Sequence, residues 1–144
     1  MMVFDLAARV WALSHSERRV LIVAWLGLAI APMLVAFLPF RTLLQWAQRG
    51  TRRSPDRRDP EPVRIAALVE AAGRHHLMIT TCLARSLLLC RLLQRRGHPA
   101  RLVLGAARAN GHLEAHAWVE SGGRRLSPGP PDRFVPLLEG PECP

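Results

Sequence analysis

The sequence predicts an α+β fold: helices first, then a small antiparallel sheet. Three observations predict it. Apolar residues recur at helical spacing from Cys82 to Gln94, closing on Arg95-Arg96-Gly97-x-Pro99. Two alternating, strand-like runs flank the hairpin signal Asn110-Gly111. No strand pattern occurs before residue 100, so helices and strands segregate along the chain.

The elements follow in order. Residues 1–14 carry Phe4, Ala7, Ala8 and Trp11 at the spacing of a short amphipathic helix. Ser14 or Ser16 caps the next helix, with Glu17 in its first turn. From Val20 to Phe40 no side chain is charged, a run of 21 residues and long enough to cross a bilayer. Pro32 sits in its middle, Pro39 near its end, and Gly27 weakens it, so two helices are predicted, about 16–30 and 33–49. Arginines flank both ends (Arg18, Arg19; Arg41, Arg49) and give no clear orientation. The run starts late and lacks a small-x-small site, which argues against a secretory signal. Contact of residues 20–40 with a membrane stays open.

Residues 50–62 (GTRRSPDRRDPEP) are rich in proline and mixed charge and read as a linker. The expected organisation is an apolar helical region over 1–49, this linker, a second region over 63–140, and a tail over 141–144. Pro62 to Gly73 reads as a short helix with Ile65, Leu68, Val69 and Ala72 on one side. His75 and His76 follow; two adjacent histidines without further ligands read as loop residues, and no metal site is expected.

Next comes the helix headed by Cys82. Thr80 or Thr81 can cap it, and Gly97 sits where a left-handed C-cap belongs. A thiol in the first turn faces free N–H groups and partial positive charge, which favour thiolate. Cys90 lies ~80° round the helix among leucines and reads as core. Cys143 lies in a proline-bounded tail. The three cysteines form no CxxC pair, so neither a disulfide framework nor a zinc motif follows, and a reducing cytoplasm is the default.

Ala100 to Ala107 reads as a strand with a possible bulge at Gly105, and Leu113 to Ser121 as its hairpin partner. Gly122-Gly123 marks a turn, Arg124 to Ser127 a short third strand, and Phe134 to Leu138 a last strand or edge. His116 on the second strand is a possible base for Cys82. The bulk charge of +9, all of it from arginine, predicts affinity for acidic partners. Nucleic acid is the weaker partner class, since no basic helix is interleaved with stacking aromatics and tyrosine is absent.

Three stretches together carry a resemblance. Cys82-Leu83-x-Arg85-Ser86-Leu87, then Leu92-Leu93-x-Arg95-Arg96-Gly97-x-Pro99-Ala100-x-Leu102-x-x-Gly105, then Ala115-His116-Ala117-Trp118-Val119-Glu120 and Gly123 closely resemble the lasso peptide biosynthesis B2 family. The motif-bearing match covers about residues 77–138, and Leu38-Pro39-Phe40-Arg41 is similar to a segment that ends the family's apolar region. The resemblance implies a transglutaminase-like, papain-related cysteine protease core. It implies that Cys82 attacks the bond joining leader to core in a ribosomally made precursor, with His116 as base and then acid. It further implies a separate leader-binding B1 partner and an asparagine-synthetase-like cyclase that closes the macrolactam. No cofactor is implied.

The family's usual third catalytic residue is an aspartate twelve positions after the histidine, where this chain has Pro128. Asp132 is the favoured replacement, with Ser127 and Glu120 as substitutes; Glu114 shares the parity of His116. The Cys82 backbone N–H is the first oxyanion donor, and the second is not legible. Arg85 is a candidate for substrate contact or a surface ion pair. Trp118 is a candidate for walling the site or packing the core. His112, beside the turn, reads as solvated. Two alternatives stand beside the peptidase: a membrane-associated scaffold of the same fold without catalysis, and an acyl transferase using the same Cys/His pair.

Overall fold

The computed structural model describes residues 10–49, 54–76, 80–126 and 133–140. Among these, four helices precede four strands: α1 (His15–Phe37), α2 (Phe40–Gln48), α3 (Pro62–Arg74), α4 (Cys82–Arg95), β1 (Arg101–Ala109), β2 (His112–Ser121), β3 (Arg124–Arg125) and β4 (Val135–Glu139). The α+β expectation holds. The amphipathic helix expected over residues 1–14 lies mostly outside the described residues.

The apolar run folds differently from its prediction. α1 continues through Pro32 and stops at Leu38, whose N–H donates to the Leu34 carbonyl; α2 then starts at Phe40, after Pro39. Pro32 deprives one carbonyl of its intrahelical donor. Leu34 and Val35, in the next turn, pack on the core and hold the helix together beyond it. At the other end Ser14 and Glu17 form a reciprocal capping box, as the sequence suggests.

α3 begins with Pro62 in its first turn, where a missing N–H costs nothing. α4 ends in a Schellman motif: His98 N–H reaches the Leu93 carbonyl at 3.1 Å and Gly97 N–H the Gln94 carbonyl at 3.1 Å. This requires the φ of +77° that Gly97 adopts.

The sheet is antiparallel, in the order β3-β2-β1-β4. Asn110 and Gly111 both have positive φ, as a tight two-residue hairpin turn demands. The bulge predicted at Gly105 is real, but it lies in the pairing with β4, between Leu104 and Gly105. A Cβ on Gly105 would stand 2.6 Å from the Trp118 ring, so glycine there lets the indole lie flat on β1. β4 is an exposed edge strand.

The two sheet faces differ. Leu102 and Val119, paired across β1 and β2, join α1, α2, α3 and α4 in one large core that includes Val20, Leu28, Leu43, Ile65, Leu87 and Leu93. The opposite face carries a smaller cluster of Val103, Ala107, Trp118 and Phe134. α4 lies between the other helices and the sheet. Nine of its 14 residues are buried.

Candidate active site

Cys82 is the first residue of α4. Thr81 caps the helix, its hydroxyl accepting from Ala84 N–H at 3.2 Å. The Cys82 N–H therefore belongs to a first turn without intrahelical acceptors, which fits the expected oxyanion donor. The thiol is half-buried, whereas Cys90 is fully buried in the core, as the leucines around it predict.

Two side-chain bonds fix where this helix mouth meets the sheet. Ser86 Oγ donates to the Ala117 carbonyl at 3.0 Å, and Gln94 Nε2 donates to the Ala100 carbonyl at 2.7 Å. Ala100 precedes the β1 residue paired with Glu120, so α4 runs alongside β2 in the same direction. Cys82 is one turn before Ser86, about 6 Å back along the axis. At about 3.3 Å per strand residue, that puts Cys82 level with Ala115 and His116.

The meeting point is the β3 side of β2. The Val119 carbonyl accepts from Leu126 N–H, so it points to the β3 side of β2. Carbonyls alternate along a strand, so the Ala117 carbonyl points the same way. Among the described residues β3 pairs with Glu120 and Ser121, and at Ala117 the carbonyl accepts from Ser86.

His116 projects on that far face with Trp118. Its ring stacks with Trp118 at a centroid distance of 6.4 Å and tilts against Phe134 at 5.3 Å. Its Nε2 is buried without a hydrogen-bond partner. Among the described residues no hydrogen bond joins the Cys82 thiol to His116. An imidazole resting against two rings, with a nitrogen that has no hydrogen-bond partner, is equipped to exchange a proton with an incoming group.

Asp132, Ser127 and Pro128 lie outside the described residues, as does Cys143. Glu120 has its two carboxylate oxygens engaged elsewhere: Oε1 accepts from Trp118 Nε1 at 3.0 Å and Oε2 from Arg101 at 2.7 Å. Burial pushes its carboxyl up, but the bonds from Trp118 and Arg101 outweigh this and hold it below the ordinary value. Glu120 therefore does not simply face solvent, and among the described residues no hydrogen bond joins it to His116. Glu114 pairs with Arg133. His112 is exposed.

Arg85 forms the ion pair that was one of its two readings. Its guanidinium binds Glu70 of α3 at 3.0 Å and the Thr80 carbonyl at 3.3 Å, clamping the start of α4 to α3. Trp118 is 1 % exposed and packs the core; Arg125 covers its ring at 4.3 Å. His76 tilts against Trp25 at 5.1 Å, and no His/Cys/Asp/Glu cluster able to hold a metal occurs among the described residues.

Sequence reasoning passed over Ser86, Gln94, Phe134 and Glu70. Ser86 and Gln94 had a signal: each is polar within the buried stripe of an otherwise leucine-rich helix, where an unpaired hydroxyl or amide is costly. Phe134 and Glu70 had none, because their partners are distant in sequence.

A family model for the transglutaminase-like superfamily matches residues 24–139. No curated protein and no solved structure matches the chain. The matched region includes most of α1 and all of α2, α3, α4 and the sheet. The superfamily's fold is one used by cysteine peptidases and acyl transferases. By this match, together with a helix headed by cysteine lying along a histidine-bearing strand, the chain belongs to the transglutaminase-like superfamily.

Proposed function

We propose that this protein is a cysteine peptidase that removes the leader from a ribosomally synthesised lasso peptide precursor. In this reading a small B1 protein presents the leader, and an asparagine-synthetase-like cyclase then closes the macrolactam. The work is cytoplasmic. The observation that supports the reading is the Ser86–Ala117 bond, which ties the helix headed by Cys82 to the strand that carries His116.

The chemistry follows from that placement. His116 Nε2 takes the thiol proton as the Cys82 sulfur attacks the carbonyl carbon of the scissile bond. The oxyanion draws on the Cys82 N–H. The imidazolium returns its proton to the leaving amine, which departs as the N-terminus of the core peptide. Water, deprotonated by the same imidazole, then cleaves the thioester, releasing the leader carboxylate and restoring the thiol. Asp132 is the proposed orienting acid for His116, with Ser127 as its substitute. The thiol–imidazole contact forms when substrate seats, as catalytic hydrogen bonds of free enzymes commonly tighten only on binding.

The test is reconstitution of protein, B1 partner and precursor, read by mass spectrometry. Cys82→Ala abolishes leader release. His116→Ala lowers it by at least about 10³-fold, and Asp132→Asn by a smaller factor, because nucleophile and base survive. Cleavage by Cys82→Ala at the parent rate would sink the reading. An amine-linked product in place of a free leader carboxylate would establish acyl transfer by the same pair.

A scaffold without catalysis is the competing reading, favoured by Pro128 and by the missing thiol–imidazole bond in the free protein. It predicts that Cys82 alkylates at the same rate in the parent and in His116→Ala. The peptidase reading predicts slower labelling in His116→Ala.

A further inference from the structure

We infer that α1 is a membrane-seating helix that lies in the plane of an anionic bilayer and does not cross it. The inference is independent of the peptidase reading. α1 is 23 residues long, about 34 Å, and apolar enough to span. Only Val20, Ala24 and Leu28 of its residues are buried, one turn apart on a single face. Gly27 on that side meets the Leu88 side chain of α4.

The opposite side carries a second stripe: Arg19, Ile22, Leu26, Ile30, Met33 and Phe37, again at steps of three and four. These five apolar side chains are between 53 % and 79 % exposed, far more than scattered surface hydrophobics require. A helix apolar on both sides is normally covered on both sides.

Spanning is incompatible with the packing. Val20, Ala24 and Leu28 hold α1 against α3 and α4, which carry Arg64, Glu70, Arg74, Arg85, Arg91 and Arg95. Threading α1 through a bilayer would draw those charges into hydrocarbon or tear the core apart. Lying flat satisfies both faces: the inner face stays in the protein core and the outer stripe sinks into the acyl boundary.

Charge selects the lipid. Arg19 stands on the outer stripe itself, exposed, and Arg41 is exposed just beyond Phe37. Both ends of the stripe thus meet headgroups with a guanidinium, on a chain of net charge +9. Between α1 and α3 a groove of about 820 Å³ opens beside the stripe, lined by Ile22, Trp25 and Leu26 together with the exposed Arg74 and His75. Its apolar wall and cationic lining suit an acyl chain under a phosphate headgroup.

The experiment is flotation of the full chain with preformed vesicles of phosphatidylcholine alone or mixed with phosphatidylglycerol. The protein floats with the mixed vesicles, binds phosphatidylcholine at least about tenfold more weakly, and loses binding as salt rises. It also exchanges between vesicle populations. The double variant Ile30→Glu/Met33→Glu keeps its circular dichroism and thermal midpoint and loses at least about tenfold in partition. Arg19→Glu keeps the apolar stripe but lowers the preference for phosphatidylglycerol. Three results would each overturn the inference: equal partition of parent and double variant, irreversible retention as for a spanning helix, or self-association abolished by the double variant without vesicle binding. The last would assign the stripe to a second copy of the chain.

Discussion

α1 and α4 are both rich in apolar residues, yet the fold treats them in opposite ways. α4 has nine of 14 residues buried, whereas α1 has three of 23. What separates them is their polar residues. In α4, Thr81 caps the first turn, Ser86 reaches Ala117 and Gln94 reaches Ala100. Each is a directional anchor that fixes the helix in rotation and height. α1 has its directional bonds at its start, where Glu17 accepts from Arg64 and Ser16 donates to Asp59, and from Val20 to Phe37 it carries no charged side chain. Along that run its position comes from small and branched residues on one face. Positioning a nucleophile requires the first kind of helix; adhering to an apolar medium requires only the second.

The contrast can be tested from its strongest consequence to its weakest. Leu93→Ala in α4 removes a fully buried side chain and should cost about 2–5 kcal/mol, read as a shift in urea midpoint. A cost below about 1 kcal/mol would mean that α4 is not the central layer. Ser86→Ala leaves the buried Ala117 carbonyl without its donor and should cost about 1–3 kcal/mol. Because that bond also sets the height of Cys82, its loss should lower leader release more than Leu93→Val of similar stability. Equal activity at matched stability would break the link between anchor and site.

At the seam between α1 and α3, Glu17 binds Arg64 at 2.6 Å and completes the capping box. The bond from Arg64, then that from the Ser14 backbone, holds the Glu17 carboxyl below its usual 4.5. The lowered folded-state value means that this contribution is complete above pH 4.5 and is lost as pH falls through the folded value. Glu17→Gln should therefore lower the thermal midpoint at neutral pH, by about 0.5–1 kcal/mol in stability, and have no effect in strong acid. The smallest effect belongs to the outer stripe: Ile30→Ser should change stability by less than about 0.5 kcal/mol, because the side chain is 56 % exposed.

What was legible in the sequence was local. The Thr81 cap, the Gly97 C-cap, the Asn110-Gly111 turn and the segregation of helices from strands all depend on residues within a few positions of each other. The break between α1 and α2 was misplaced at Pro32, because a proline's cost can be outweighed by packing that a linear pattern does not display. The same limit hid the partner of Arg85. It is Glu70, fifteen residues away on another helix, and the bond clamps α4 to α3. Cys82 and His116 were legible as residue types in suggestive places. Their common level along the sheet needed Ser86 and Gln94, whose acceptors lie on the strand side of the fold.

Closing the β2 rim with a serine also decides how the sheet meets other chains. A strand border with unused carbonyls and amides invites a neighbour to zip on, which is how native sheets begin to form fibrils. Here α4 blocks that border at Ala117. The far border, β4, has Pro136 in its middle, which cannot donate to a newcomer. At Ala117 and at Pro136 a guest peptide thus meets an interruption in the ladder it would extend.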